Sequence, residues 1–166
     1  MTTTKRQVFY SFHYVPDSWR AAMVRSIGAI EGNKPAPDND WEAVTGGGDE
    51  AIKKWIDGQM KYRSCTVVLV GTNTANRKWI NYEIVKSWNA GMGVVGIYIH
   101  GLKNKDGNIA NQGYNPFDYI PYGEQKLSSI VKCYNPSGAD SKEKYAWIAK
   151  YISDAVEEAI KIKANY

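Results

Sequence analysis

Glu83 stands four residues after Trp79 in the run RKWINYEIVKSW at positions 77–88. On a helix, that spacing puts a carboxylate and an indole on one side. A carboxylate held against a cleft beside an aromatic ring suits cleavage of an N-glycosidic bond. Breaking that bond leaves positive charge on the ribose ring, and a fixed anion near C1 or the ribose hydroxyls stabilises it. Trp79 or Phe12 would stack on the departing base. Backbone N–H groups at the helix start, helped by Arg77 or Lys78, would hold phosphates. The plainer reading of Glu83 is a surface carboxylate paired with a lysine such as Lys86.

Other chemistries lack their residues. No GxGxxG follows the first strand, GGG at 46–48 is not followed by GK[ST], and there is no GxSxG. His13 and His100 are the only two histidines, too few for a His-rich metal site. NKDGN at 104–108 has the wrong glycine spacing for a calcium loop and lacks its glutamate. Cys65 and Cys133 lie far apart in apolar, β-branched surroundings, which predicts buried thiols instead of a disulfide or a zinc site. No metal is expected.

The elements that must position these residues alternate between strand and helix. Residues 7–12 read as a strand apolar on both faces. A helix follows Pro16 and Asp17, with Trp19, Met23, Ile27 and Ile30 as its apolar stripe. Residues 32–40 read as a loop, and a second strand belongs near Ile30 or at 41–44. The glycines 46–48 lead into a helix over about 49–62, with Asp49 as N-cap and Ile52, Trp55, Ile56 and Met60 buried. CTVVLV at 65–70 is the best central strand and ends at Gly71. Polar residues 72–76, Asn73 among them, lead into a helix to about residue 90, packed through Ile80, Ile84 and Trp88. A strand at 94–100 follows. Residues 101–123 are too long and irregular for an ordinary connector. This stretch is expected to fold over or beside the strand-end cleft, with Phe117 and Tyr119 as its anchors. An outer strand at 129–134 and a capping box of Asp140 with Glu143 complete the pattern. A last helix runs to the C-terminus through Tyr145, Ile148, Ile152, Val156, Ala159 and Ile160.

This alternation predicts one open, mostly parallel sheet of about five strands covered on both faces. Ligands in such folds sit beyond the C-terminal strand ends. That edge should carry Ser11 and Phe12, then 71–76, then His100.

The 166 residues are an ordinary length for a single domain. Hydrophobic residues make up 43% and charged residues 23%, which excludes a wholly disordered chain. The formal charge of +4 tolerates a phosphate-bearing ligand without implying nucleic acid. No apolar run is long enough to suggest a membrane span, and the N-terminal residues do not resemble a secretory signal, so a cytoplasmic location is expected. The 6 Trp and 12 Tyr exceed what a small core needs, which places some rings at a pocket or an interface.

The order VFYSFHY, SCTVVLVG, NRKWINYEIVKSW resembles a TIR-type domain. With GIYIHGLKNKDGNIANQGYNPFDYI added, the chain resembles the TIR-like ThsB family of the bacterial Thoeris anti-phage system over roughly positions 7–134. The resemblance implies a flavodoxin-like three-layer sandwich. It implies a single TIR-like domain over 1–166, with an irregular loop at about 101–123. It also implies an enzyme that releases nicotinamide from NAD and makes a cyclic ADP-ribose-type signal. Glu83 matches the catalytic glutamate by motif position. Ser11 and Phe12 match strand-end positions bordering the nicotinamide and ribose, and Trp79 opens the W-x-x-x-E pattern. NAD is then a substrate, with no permanently bound cofactor. The implied partners are an effector reached through a diffusible nucleotide, with room for a phage-derived trigger and a homo-oligomer, and neither nucleic acid nor membrane. Two alternatives stand beside this reading. One is a nucleoside deoxyribosyltransferase-like enzyme, which also sets a glutamate against ribose C1. The other is a non-catalytic TIR-type interaction module, favoured if the pocket is too shallow for a dinucleotide and Glu83 points to bulk solvent.

Overall fold

The computed structural model describes residues 5–32 and 48–166. Strand β1 (Gln7–Ser11) leads into helix α1 (Tyr14–Arg25) and the two-residue strand β2 (Glu31–Gly32). Helix α2 (Gly48–Met60), strand β3 (Cys65–Val70), helix α3 (Lys78–Asn89) and strand β4 (Gly93–Tyr98) follow. A 3-10 turn (Pro116–Tyr119), a hairpin of β5 (Pro121–Tyr122) and β6 (Gln125–Lys126), and a second 3-10 turn (Leu127–Ser129) precede β7 (Cys133–Tyr134). Helix α4 (Ser141–Ala164) closes the chain.

The sheet order is β2-β1-β3-β4-β7, and every pairing is parallel. β3 lies at the centre, paired from Val8↔Cys65 to Ser11↔Val68 on one side and from Cys65↔Gly93 to Val70↔Tyr98 on the other. Its six residues are all buried, as a strand covered on both faces requires. The parallel sheet covered on both faces that the alternation predicts is therefore observed, as is the α/β flavodoxin-like sandwich that the resemblance implies.

Strand alternation divides the core. Val8, Tyr10, Phe12, Val67, Leu69, Val95 and Ile97 face α1 and α4, packing with Ala21, Val24, Ile148, Ile152 and Val156. On the opposite face, Phe9 meets Ile52, Ile56, Met60 and Trp79 of α2 and α3. Also on that face, Val68, Val70, Val94 and Tyr98 meet Ile80, Ile84, Trp88 and Phe117.

Several expectations need correction. α1 does not bury Trp19, which is 53% exposed, and its buried residues are Asp17, Arg20, Ala21 and Val24. The stripe is shifted because two charged side chains occupy the inner face, where an apolar count cannot see them. β2 adjoins Ile30, the first of the two places expected, while the alternative at 41–44 lies outside the described residues. So do the loop at 33–40 and the glycines at 46–47. α2 starts at Gly48, which puts Asp49 inside the first turn instead of at the cap. The outer strand shrinks to Cys133–Tyr134 because residues 127–129 coil into a 3-10 turn. Cys65 is buried but Cys133 is only half-buried.

The last helix starts as expected. The Asp140 carboxylate accepts from the Glu143 backbone N–H at 2.9 Å, while Glu143 accepts from the backbone N–H of Ala139. Among the described residues, no helix is long and apolar enough to cross a membrane.

Candidate active site at the strand ends

β1 ends in Ser11, whose side chain takes the sheet face toward α3 because Phe12 takes the other. α3 lies along that face. Its wide buried arc includes Trp79, Ile80, Glu83, Ile84, Ser87 and Trp88. Glu83 is 1% exposed, and its Oε1 accepts a 2.6 Å hydrogen bond from Ser11 Oγ. Its Oε2 is buried with no hydrogen-bond partner. One turn on, Ser87 Oγ donates to the Glu83 backbone carbonyl at 2.7 Å and lies 2.5 Å from Thr66 Oγ1 of β3. These small hydroxyls fasten the middle of α3 to the sheet and fix the height at which Glu83 meets Ser11.

Burial dominates the electrostatics of Glu83. Desolvation pushes its carboxyl up to about 8, and the Ser11 hydrogen bond offsets this only in part. Lys86 is no counter-ion for it, since Lys86 pairs with Asp57 at 3.7 Å. A buried carboxyl with one unpartnered oxygen and a perturbed protonation equilibrium is a common mark of a functional site.

Around it, the loop after β3 carries the polar residues singled out by the sequence. Thr74 Oγ1 accepts from the Gly71 N–H at 2.8 Å and closes a tight turn at the strand end. Asn73 is exposed on that turn, and Arg77, half-buried, occupies the N-cap of α3 without making a side-chain cap bond. Trp79 is 7% exposed and packs with Phe9, Ile52, Ile56 and Met60. Tyr82 meets its ring edge-on at 5.6 Å, and Lys78 lies 5.0 Å from its centroid. Phe12 is buried on the opposite sheet face, tilted against Tyr14. The structure thus brings Ser11, Glu83 and Trp79 together on one side of the sheet. Asn73 and Arg77 lie on the loop above, and Phe12 is on the far face.

The long loop folds beside this edge, as expected. Thr72 Oγ1 donates to the Asn111 carbonyl at 2.6 Å. Gly113 lies so close to the Gly71 and Thr72 carbonyls that a Cβ there would overlap them. Phe117 is fully buried and anchors the loop, but Tyr119 is 40% exposed and anchors nothing. Room for Phe117 comes from Gly96, where a Cβ would fall 2.9 Å from the phenyl ring and 2.6 Å from Cys133 Sγ.

The sequence reading missed a buried ion pair at the same edge. Arg20 donates to Asp17 Oδ1 at 3.3 Å, to the Leu102 carbonyl at 2.7 Å and to the Asn108 carbonyl at 3.0 Å. Asp17 Oδ2 has no partner and lies against Gly71, where a side chain would overlap it. Burial raises the Asp17 carboxyl to about 6 against the opposing pull of Arg20. The signal available was the charged pair three apart on α1, one residue out of phase with the expected stripe. Among the described residues, no three His, Cys, Asp or Glu side chains gather as metal ligands would.

The family model described as Thoeris protein ThsB, TIR-like domain, matches residues 9–104, a span that includes Ser11, Trp79 and Glu83. A protein of Bacillus cereus (strain MSX-D12), named as a candidate cyclic ADP-D-ribose synthase, ThsB1, is 37% identical over 152 residues. The alignment covers 88% of this chain and 78% of that relative.

Proposed function

The chain belongs to the Thoeris ThsB TIR-like family, and from that premise we propose that it cleaves NAD and makes a cyclic ADP-ribose-type signal in anti-phage defence. The observation that carries this reading is the Ser11–Glu83 pair, a desolvated carboxyl with one oxygen free beside the strand ends. NAD lies across that edge. Glu83 holds the nicotinamide ribose through its hydroxyls. The incoming nicotinamidium cation favours the carboxylate form, so Glu83 releases its proton as substrate binds. The C1–N bond then breaks, its electron pair leaves with neutral nicotinamide, and positive charge grows on the ribosyl ring opposite the carboxylate. A hydroxyl of the same ADP-ribose attacks C1 and loses its proton, giving a cyclic product. Attack by water gives linear ADP-ribose instead, and excluding water favours the ring.

Ser11 positions Glu83, and Trp79 and Phe12 form the apolar walls on either side of β1. Asn73 and Arg77 take the phosphates from the turn above. The protein needs no permanent cofactor for this chemistry. Its product diffuses to an effector, and a phage-derived trigger and self-association set when it is made. Glu83 does not face bulk solvent, the orientation that would have favoured an interaction module.

The test compares wild type with Glu83→Gln under activating conditions, reading nicotinamide release and ADP-ribose-type products from NAD. Gln has nearly the same volume and keeps the Ser11 hydrogen bond but cannot be anionic. The expected loss is about two orders of magnitude or more in rate. Equal rates would remove Glu83 from the mechanism. Supplying deoxynucleosides in place of NAD excludes the deoxyribosyltransferase alternative if no base exchange is seen.

A further inference from the structure

On the sheet face opposite Glu83, α1 and the start of α4 enclose a two-lobed groove with the loop at 103–109. The lobes have volumes of about 640 and 680 Å³, within the range that holds a small organic ligand. Lys103, Gly107, Asp140 and Ser141 are common to both. One lobe has an aromatic and thioether wall of Trp19, Met23 and Tyr145, and Trp19 is the large side chain that α1 leaves 53% exposed. The other lobe runs from Lys103 to Lys144, whose stem crosses Gly101.

The charge of the lining is one-sided. Lys103, Lys105, Lys142 and Lys144 face a single aspartate, Asp140, whose carboxylate is already engaged as the cap of α4. None of the four groove lysines makes an ion pair among the described residues. Neighbouring His100 is held below its ordinary value by burial first, and then by Lys144 and Arg20.

We propose that this groove is a second ligand site that takes a nucleotide, its base against Trp19 and Met23 and its phosphates toward Lys103, Lys142 and Lys144. An aromatic platform beside unpaired cations fits a flat ring joined to phosphate better than either half alone. The groove shares its 103–109 wall with the Arg20 clamp through the Asn108 carbonyl. That wall continues into Asn111 and Gly113 at the edge of the Glu83 site.

The experiment titrates isotope-labelled full-length protein with ADP and follows the indole N–H of Trp19, identified by its loss in Trp19→Phe. The expected result is a saturable shift with half-saturation below about 1 mM, unchanged in Glu83→Gln and at least about tenfold weaker in Lys103→Ala/Lys142→Ala. Three results overturn the proposal. One is the absence of a saturable Trp19 shift at about 10 mM ADP. Another is an equal shift with pyrophosphate alone, the mark of an adventitious ion only. The third is loss of the shift in Glu83→Gln, which would trace it to the strand-end site. Nicotinamide release is read separately, so failure of the groove and failure of the Glu83 mechanism are distinguishable.

Discussion

The proposed mechanism uses Glu83 as an anion, whereas burial favours its neutral acid. With its carboxyl raised to about 8, kcat/KM for nicotinamide release should climb with pH through that region and level off above it. The kcat limb should fall at lower pH, because bound nicotinamidium favours the carboxylate. A profile flat from pH 6 to pH 9 would refute this. Stability runs the other way. A raised carboxyl in the folded state favours folding below its unfolded value, near 4.5, and that contribution is lost as pH rises through about 8. Glu83→Gln carries no such loss. Its melting temperature relative to wild type should therefore rise between pH 5 and pH 9, and an unchanged difference would show that Glu83 is better solvated than its surroundings indicate. The W-x-x-x-E spacing identified Glu83, and the end of the first strand identified Ser11. The depth of the pair was not legible. It comes from α3 packing against both α2 and the sheet, which widens the buried arc beyond Ile80 and Ile84 to include Trp79 and Glu83.

At the scale of elements, the loop at 101–123 is held at both ends. Arg20 grips its start through the Leu102 and Asn108 carbonyls, and Phe117 fills the notch left by Gly96 near its end. Phe117→Ala should destabilise the protein by about 3 kcal/mol in denaturant unfolding, the cost of a cavity at a fully buried aromatic. A change near zero would mean that the surrounding chain collapses into the space. CTVVLV, the α3 stripe and most of α4 were readable because their buried positions are apolar and periodic. α1 was read out of phase because Arg20 and Asp17 are buried as a pair, and polar residues register as exposed in any apolar count. The outer strand was overdrawn because Ile130 and Val131 look like strand residues locally. The second 3-10 turn ends just before them, and Leu127 and Val131 pack into the cluster around Phe117 instead.

Taken as a whole, the molecule gathers the Ser11–Glu83 pair and the long loop at one rim, with the apolar core below. Chain crossings at that rim also make it divisible. Lys105 is exposed beside Gly107, at the tip of the long loop. Between them, the pieces on either side of that tip share the β4–β7 pairing, the seat of Phe117 against Gly96, the Arg20 bond to Asn108 and the packing of α4 on β1, β3 and β4. Covalent continuity at the tip should thus be dispensable to the fold. Coexpressed fragments 1–105 and 106–166 should elute together as one particle of native size and come apart only in denaturant. Separate elution would refute this. Two half-proteins that meet to complete one rim would turn a single chain into a reporter of proximity between whatever each half is fused to.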